Sequence, residues 1–96
     1  MRFEWDEAKN LQNIAKHGVS FEDASRIFLG FTITLTDDRF DYGEAREISI
    51  GMIRGTAVLV VVHTDRNETC RIISARPAVK AERKRYESAL RQALEP

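Results

Sequence analysis

Cysteine, histidine and net charge are all scarce in this 96-residue chain: it has one Cys and two His, and its fifteen Lys or Arg are balanced by fifteen Asp or Glu. Cys70 alone forms no internal disulfide, and one thiol with two scattered histidines has neither CxxC nor HExxH spacing, so no structural metal and no other cofactor is expected. Long apolar runs are missing too. The longest, Ala57-Val58-Leu59-Val60-Val61-Val62, has six residues where a membrane span needs about twenty, and no signal-type apolar stretch follows Met1. A cytoplasmic protein without membrane contact is the expectation. Ser/Pro/Gly-rich linkers, low-complexity tracts and repeats are absent as well. A chain of this length buries roughly 60 to 65% of its unfolded surface, which suffices for one core and not two, so residues 1–96 are read as a single domain. Zero net charge argues against a uniformly basic nucleic-acid binder and leaves local patches open.

Periodicity supplies a β-α-α-β-β-β-α order. Arg2 to Trp5 alternates as a short strand, and Asp6 is placed to cap a helix running from about Glu7 to Lys16, with Leu11, Ile14 and Ala15 as its buried stripe and Gly18 as its left-handed stop. Ser20 opens a second helix whose Phe21, Ala24, Ile27 and Phe28 share one face, and Gly30 ends it. The period then changes to two. Phe31 to Thr36 alternates apolar residues with threonines, as a half-exposed strand near a sheet edge does, and Asp37 to Gly43 is a polar turn. Arg46 to Arg54 forms the next strand, the apolar run within Ala57 to Thr64 the central one buried on both faces, and Thr69 to Arg76 the last. Pro77 suits the first position of a final helix to about Leu94, whose inward stripe is Val79, Tyr86, Ala89, Leu90 and Ala93. Hairpin-linked strands flanked by helices imply an antiparallel α+β sandwich.

The charge balance hides a segregation. Asp37 to Glu47 carries five acids against two arginines, whereas Arg71 to the C-terminus carries seven basic residues against three acids. A basic C-terminal third fits phosphate contacts, and it also fits a solvated helix face. Strict alternation in the last strand sends Cys70, Ile72, Ser74 and Arg76 one way and Arg71, Ile73 and Ala75 the other. Arginine grips a phosphate bidentately and stabilises charge developing on it, so Arg71 and Arg76 are candidates, with salt bridges to the 37–47 acids as the alternative. Arg83 falls between Val79 and Tyr86 on the inward stripe and can reach the same cleft. Lys16 and His17 sit at a helix C-terminus, where His17 is either a proton-transfer group or simply part of the helix end. Phosphodiester cleavage by an attacking 2′-hydroxyl needs a base, an acid and cations, all of which Lys, His, Arg and Glu supply without metal. His63 is read as a core or strand-end histidine, and Trp5, Phe3 and Phe21 as core.

Several segments together resemble the BrnT toxin family: Phe3-Glu-Trp-Asp6 with Lys9 and Asn13, Lys16-His-Gly-Val-Ser-Phe-Glu22 with Ala24 and Phe28, Gly43-Glu-Ala-Arg46, Ile50-Gly51, and Arg71-Ile-Ile-Ser-Ala-Arg76 with Ala78, Glu82, Arg83 and Tyr86. The match runs from Phe3 to Tyr86. The resemblance implies a RelE-like α+β fold, with an N-terminal strand and two helices, an antiparallel sheet and a C-terminal helix. It implies a metal-independent endoribonuclease toxin of a bacterial type II toxin-antitoxin module that inhibits translation and growth. Its partners would be RNA as substrate and a BrnA-like antitoxin, with which it forms a hetero-oligomer, and operator DNA would be met only through that complex. It also implies the site. His17, Lys16, Arg46 and Arg76 are the candidate catalytic residues, Arg71, Glu44, Arg83 and Tyr86 the candidate RNA-binding ones, and no metal ligand is among them. A non-catalytic module acting as corepressor within an antitoxin-DNA complex is the alternative from another class. A metal-dependent nuclease built on Asp37, Asp38 and Glu44 is a third, disfavoured because these acids form no tight constellation.

Overall fold

The computed structural model describes residues 1–39, 41 and 43–95, so Phe40 and Tyr42 of the expected turn, and Pro96, lie outside the described residues. Among the described residues five strands form one sheet: β1 (Arg2–Glu4), β2 (Thr32–Asp37), β3 (Arg46–Ile53), β4 (Ala57–Arg66) and β5 (Thr69–Pro77), in the order β1-β5-β4-β3-β2. The apolar run is central, as its lack of alternation requires, and the threonine-rich β2 is an edge. β2 to β5 pair antiparallel in sequence. β1 instead pairs with β5 in parallel, so the sheet is mixed and not antiparallel throughout. Helix α1 (Glu7–His17) and helix α2 (Phe21–Ser25), the latter continued by a 3-10 turn over Arg26–Leu29, cover one face, here called inner. Helix α3 (Lys80–Leu94) covers part of the other. Among the described residues no helix is long and apolar enough to cross a membrane.

The inner core joins Phe21, Ala24 and Ile27 to Ile53, Leu59, Val61, Cys70, Ile72 and Ala75. Gly51 lets the 3-10 turn lie directly on β3: a Cβ there would stand 2.6 Å from the Ile27 Cβ, a distance no packed carbon tolerates. On the other face Tyr86 packs with Ile50, Val58 and Val60, and its hydroxyl donates to the Phe31 carbonyl at 2.8 Å.

Helix α1 departs from the expected stripe. Leu11 and Ile14 are 61% and 40% exposed, Ala15 is exposed too, and the buried positions are Asn10 and Asn13. Asn10 accepts from the Phe21 N–H at 2.8 Å, tying the start of α2 to α1. Asn13 reaches the edge of β5, which β1 pairs only from Thr69 to Arg71. There its amide donates to the Ala75 carbonyl at 2.7 Å and accepts from the Ala75 N–H at 3.2 Å, doing for one residue what a neighbouring strand would do. The start of α3 also differs. Pro77 ends β5 opposite Leu59, the Ala78 N–H donates to the Val58 carbonyl, and Val79, 58% exposed, is the N-cap and not part of the inward stripe.

A bulge resets β5. Val62 faces Ser74 but His63 faces Ile72, so Ile73 is an extra residue and the alternation inverts across it. Cys70, Ile72 and Ala75 therefore share the inner face, while Arg71 joins Ser74 and Arg76 on the opposite one. Strict alternation had separated the two arginines. One inserted residue unites them.

Candidate functional site

Helix α3 leaves part of its face open. The uncovered cleft holds about 360 Å³ above a floor that includes Leu35, Ile48, Val62 and Ser74, and its rim carries Arg39, Arg76, Arg85 and Glu82. An apolar floor ringed by guanidinium groups suits a phosphodiester whose neighbouring nucleosides bring flat, apolar faces.

Arg76 is held by its tip. Nη1 and Nη2 donate to the two Glu82 oxygens at 2.8 Å each, and Nη1 also donates to the Pro77 carbonyl at 3.3 Å. A guanidinium has five N–H bonds, and these three contacts leave the side edge formed by Nε–H and the second Nη2–H. Among the described residues no acceptor meets that edge, so Arg76 is fixed in orientation with a two-donor fork to spare. Glu82 does double duty, because its Oε1 also accepts from the Val79 N–H at 2.9 Å and so caps α3. Its hydrogen bonds from Arg76, followed by the backbone N–H of Val79, outweigh partial burial and bring its pKa down to about 2 from an ordinary 4.5, and Glu82 in turn raises that of Arg76. A depressed carboxylate stabilises the fold above its unfolded pKa and loses that contribution as pH falls toward the folded value. Glu82→Gln is therefore expected to lower stability by about 1–2 kcal/mol at pH 7, after discount for the exposed half of the pair, and the gap from the parent should close between pH 4.5 and about 2. Urea unfolding at pH 7 and pH 2.5 measures it. A gap unchanged by acid would mean that the ion pair does not hold α3.

The remaining open-face charges gather toward the other end. Arg46 stands opposite Asp37 in register and on the same side as Ile48, and the fully buried Asp37 carboxylate accepts from Arg39 Nε at 2.8 Å and Nη2 at 3.0 Å. Glu44 pairs with Arg66, which holds its carboxyl below the usual range, with Arg46 and Arg71 adding to the effect. Arg71 donates to Glu4 at 2.6 Å. Thus neither Arg71 nor Arg76 pairs with the 37–47 acids through a described salt bridge; their partners are Glu4 and Glu82.

His17, Lys16 and Arg83 lie elsewhere. His17 and Arg83 line a cleft of about 260 Å³ with Asp23, Arg54 and Pro77. Lys16 and His17 also border a shallow depression with Lys9, Gln12, Ile73 and Ser74. Ser74 lines both this depression and the arginine cleft, so the two meet around the edge of β5 that β1 leaves unpaired. Tyr86 is 2% exposed with its hydroxyl already committed, and burial raises the pKa of that hydroxyl; it belongs to the core and offers nothing to a ligand.

Sequence reasoning overlooked Arg39, Arg85 and the clamp by Glu82. Arg85 could have been found three residues after Glu82, on the same side of α3, but Arg39 was masked by the acids around it. A second constellation also went unseen. Ser49 Oγ lies 2.7 Å from His63 Nε2 and His63 Nδ1 lies 2.8 Å from Asp65, the contacts of a hydrolytic triad, yet Ser49 is 0% exposed and no substrate reaches it.

Residues 5–82 match the family model described as ribonuclease toxin, BrnT, of type II toxin-antitoxin system. The fold is similar to the crystal structure of the Brucella abortus ribonuclease toxin BrnT, with a TM-score of 0.64 and 30% identity over 83% of this chain and 99% of that one. No curated protein gives a significant match.

Proposed function

Since the chain belongs to the BrnT family of ribonuclease toxins of type II toxin-antitoxin systems, we propose that it cleaves RNA without metal in the cleft between the open sheet face and α3, with Arg76 as the principal phosphate ligand. The observation that carries this reading is the oriented Arg76 fork above an apolar floor. Its free edge matches two phosphate oxygens, and Glu82 fixes it before substrate arrives, so little reorganisation is needed as negative charge builds on the phosphorane. Arg39 and Arg85 stand at the same rim to hold flanking charge. Lys16 and His17, beyond Ser74, are assigned to RNA that continues around the β5 edge, and not to the scissile phosphate. Arg46 and Arg71, with Glu44, serve the opposite end of the strand path.

Growth inhibition through loss of translatable RNA, a RelE-like mechanism and neutralisation by a BrnA-like antitoxin complete the proposal, with operator DNA contacted only in the antitoxin complex. An antitoxin presenting carboxylates to the arginine rim would block the cleft and displace RNA together. The test is cleavage by the purified chain of free RNA and of message on translating ribosomes, in excess chelator. Cleavage that survives chelation is expected. Its loss on chelation would favour acidic metal ligands, and no cleavage of either substrate would favour a corepressor module.

A further inference from the structure

The inner face carries a donor cluster that RNA cleavage does not use. We propose that His63, Asp65 and Cys70 form a binding site for one thiophilic divalent metal ion, of which Zn²⁺ is the type, on the side of the sheet away from the arginine cleft. Their spacing matches no zinc motif in sequence, which is why no structural metal is expected from it. Strand pairing supplies what spacing does not. Asp65 lies directly opposite Cys70, His63 is two residues earlier on the same strand and face, and the bulge at Ile73 keeps Cys70 on the inner side. The three donor atoms lie within 4.8 Å of one another, so a shift of about 1 Å brings them to tetrahedral spacing around a zinc ion.

Three further properties favour a metal. The first is the outer shell. The imidazole is set by Ser49, whose Oγ contacts Nε2 at 2.7 Å and Thr34 Oγ1 at 2.8 Å, and by the Phe28 ring edge-on at 5.1 Å. With Nδ1 on the metal, a proton on Nε2 is donated to Ser49, which can donate in turn to Thr34. The second is charge. A thiolate and a carboxylate neutralise the dication, which removes the main cost of placing it beside His63 and Cys70, 2% and 1% exposed. The third is access: the Asp65 side chain is 43% exposed, which gives an ion an entry and leaves a fourth position to water. Among the described salt bridges, the Asp65 partner is His63 and no guanidinium competes for it. Sulfur and nitrogen donors select Zn²⁺ or Co²⁺ over Mg²⁺ and Ca²⁺.

Without metal, burial and the nearby carboxylates of Asp65 and Glu47 push the Cys70 thiol up to about 12. Binding through the thiolate therefore expels the Cys70 proton.

The test is titration of the full reduced chain with Co²⁺, followed by Zn²⁺ competition. Expected are one equivalent bound, a thiolate-to-cobalt charge-transfer band with the intense visible bands of a tetrahedral site, and full displacement by Zn²⁺. Cys70→Ser should remove the charge-transfer band. Asp65→Asn, which alters a partly exposed side chain and so spares the fold, should weaken binding at least about tenfold. Absence of the band in the parent, or a band unaffected by Cys70→Ser, overturns the proposal. Neither readout involves RNA, so it stands or falls separately from ribonuclease activity.

Discussion

RNA cleavage by the Arg76→Ala variant is expected to fall by roughly 10²–10³ in rate, the usual cost of removing preorganised donors from developing oxyanion charge. The loss belongs to geometry as much as to charge. The guanidinium uses its tip for Glu82 and leaves its side edge without a partner among the described residues, an arrangement that a single ammonium cannot copy. Arg76→Lys should therefore recover little activity although it keeps the charge. Glu82→Gln, which keeps Arg76 but loosens its orientation, should cost about tenfold, between parent and alanine variant. The three variants are compared by initial rates on one RNA substrate, with thermal melts to show that each is folded at the assay temperature. Relief of growth inhibition in cells lacking antitoxin should follow the same order. Parental rates in Arg76→Ala would remove Arg76 from the site and shift attention to Arg46 and Arg71.

Such a ranking was only partly legible in the sequence. Local signals were read correctly where one residue makes the contact: Asp6 accepts from the first N–H groups of α1, Gly18 ends it at φ 72°, and Ser20 accepts from the Asp23 N–H. Unbroken hydrophobicity over Ala57 to Val62 marked the central strand, and the Thr-rich alternation marked the edge. What failed were properties of pairs of distant segments. Nothing in Arg71 to Arg76 announces a bulge, because an extra residue is defined by the partner strand, and that residue decides whether the two arginines share a face. Parallel pairing of β1 with β5 joins residues nearly seventy positions apart. The site suffered accordingly. Arg76 and Arg46 lie on the open face, whereas His17 and Lys16, joined to them by motif alone, lie around the β5 edge. The Ser49-His63-Asp65 contacts and the nearby Cys70 arise from cross-strand register, which composition does not encode.

Asn13→Ala is expected to destabilise the fold by about 3 kcal/mol or more, although it deletes no apolar contact in the core. Three hydrogen bonds go at once: donation to the Val19 and Ala75 carbonyls and acceptance from the Ala75 N–H, all at buried atoms that water does not reach in the packed state. Each abandoned buried group costs about 1–3 kcal/mol, and a domain of this size has roughly 5–15 kcal/mol in total. In a chain of 96 residues the melting temperature should drop by about 12–24 °C. Leu11→Ala is the control that separates the two accounts of α1. If hydrophobic periodicity chose the buried stripe, Leu11→Ala should be the costly change; because Leu11 is 61% exposed, it should cost less than about 0.5 kcal/mol. Asn13→Asp refines the cause, since a carboxylate can still accept from the Ala75 N–H but has no proton to donate to either carbonyl, so it should be nearly as damaging as alanine. A costly Leu11→Ala together with a neutral Asn13→Ala would rotate α1 on the sheet, and would take Lys16 and His17 away from the β5 edge with it.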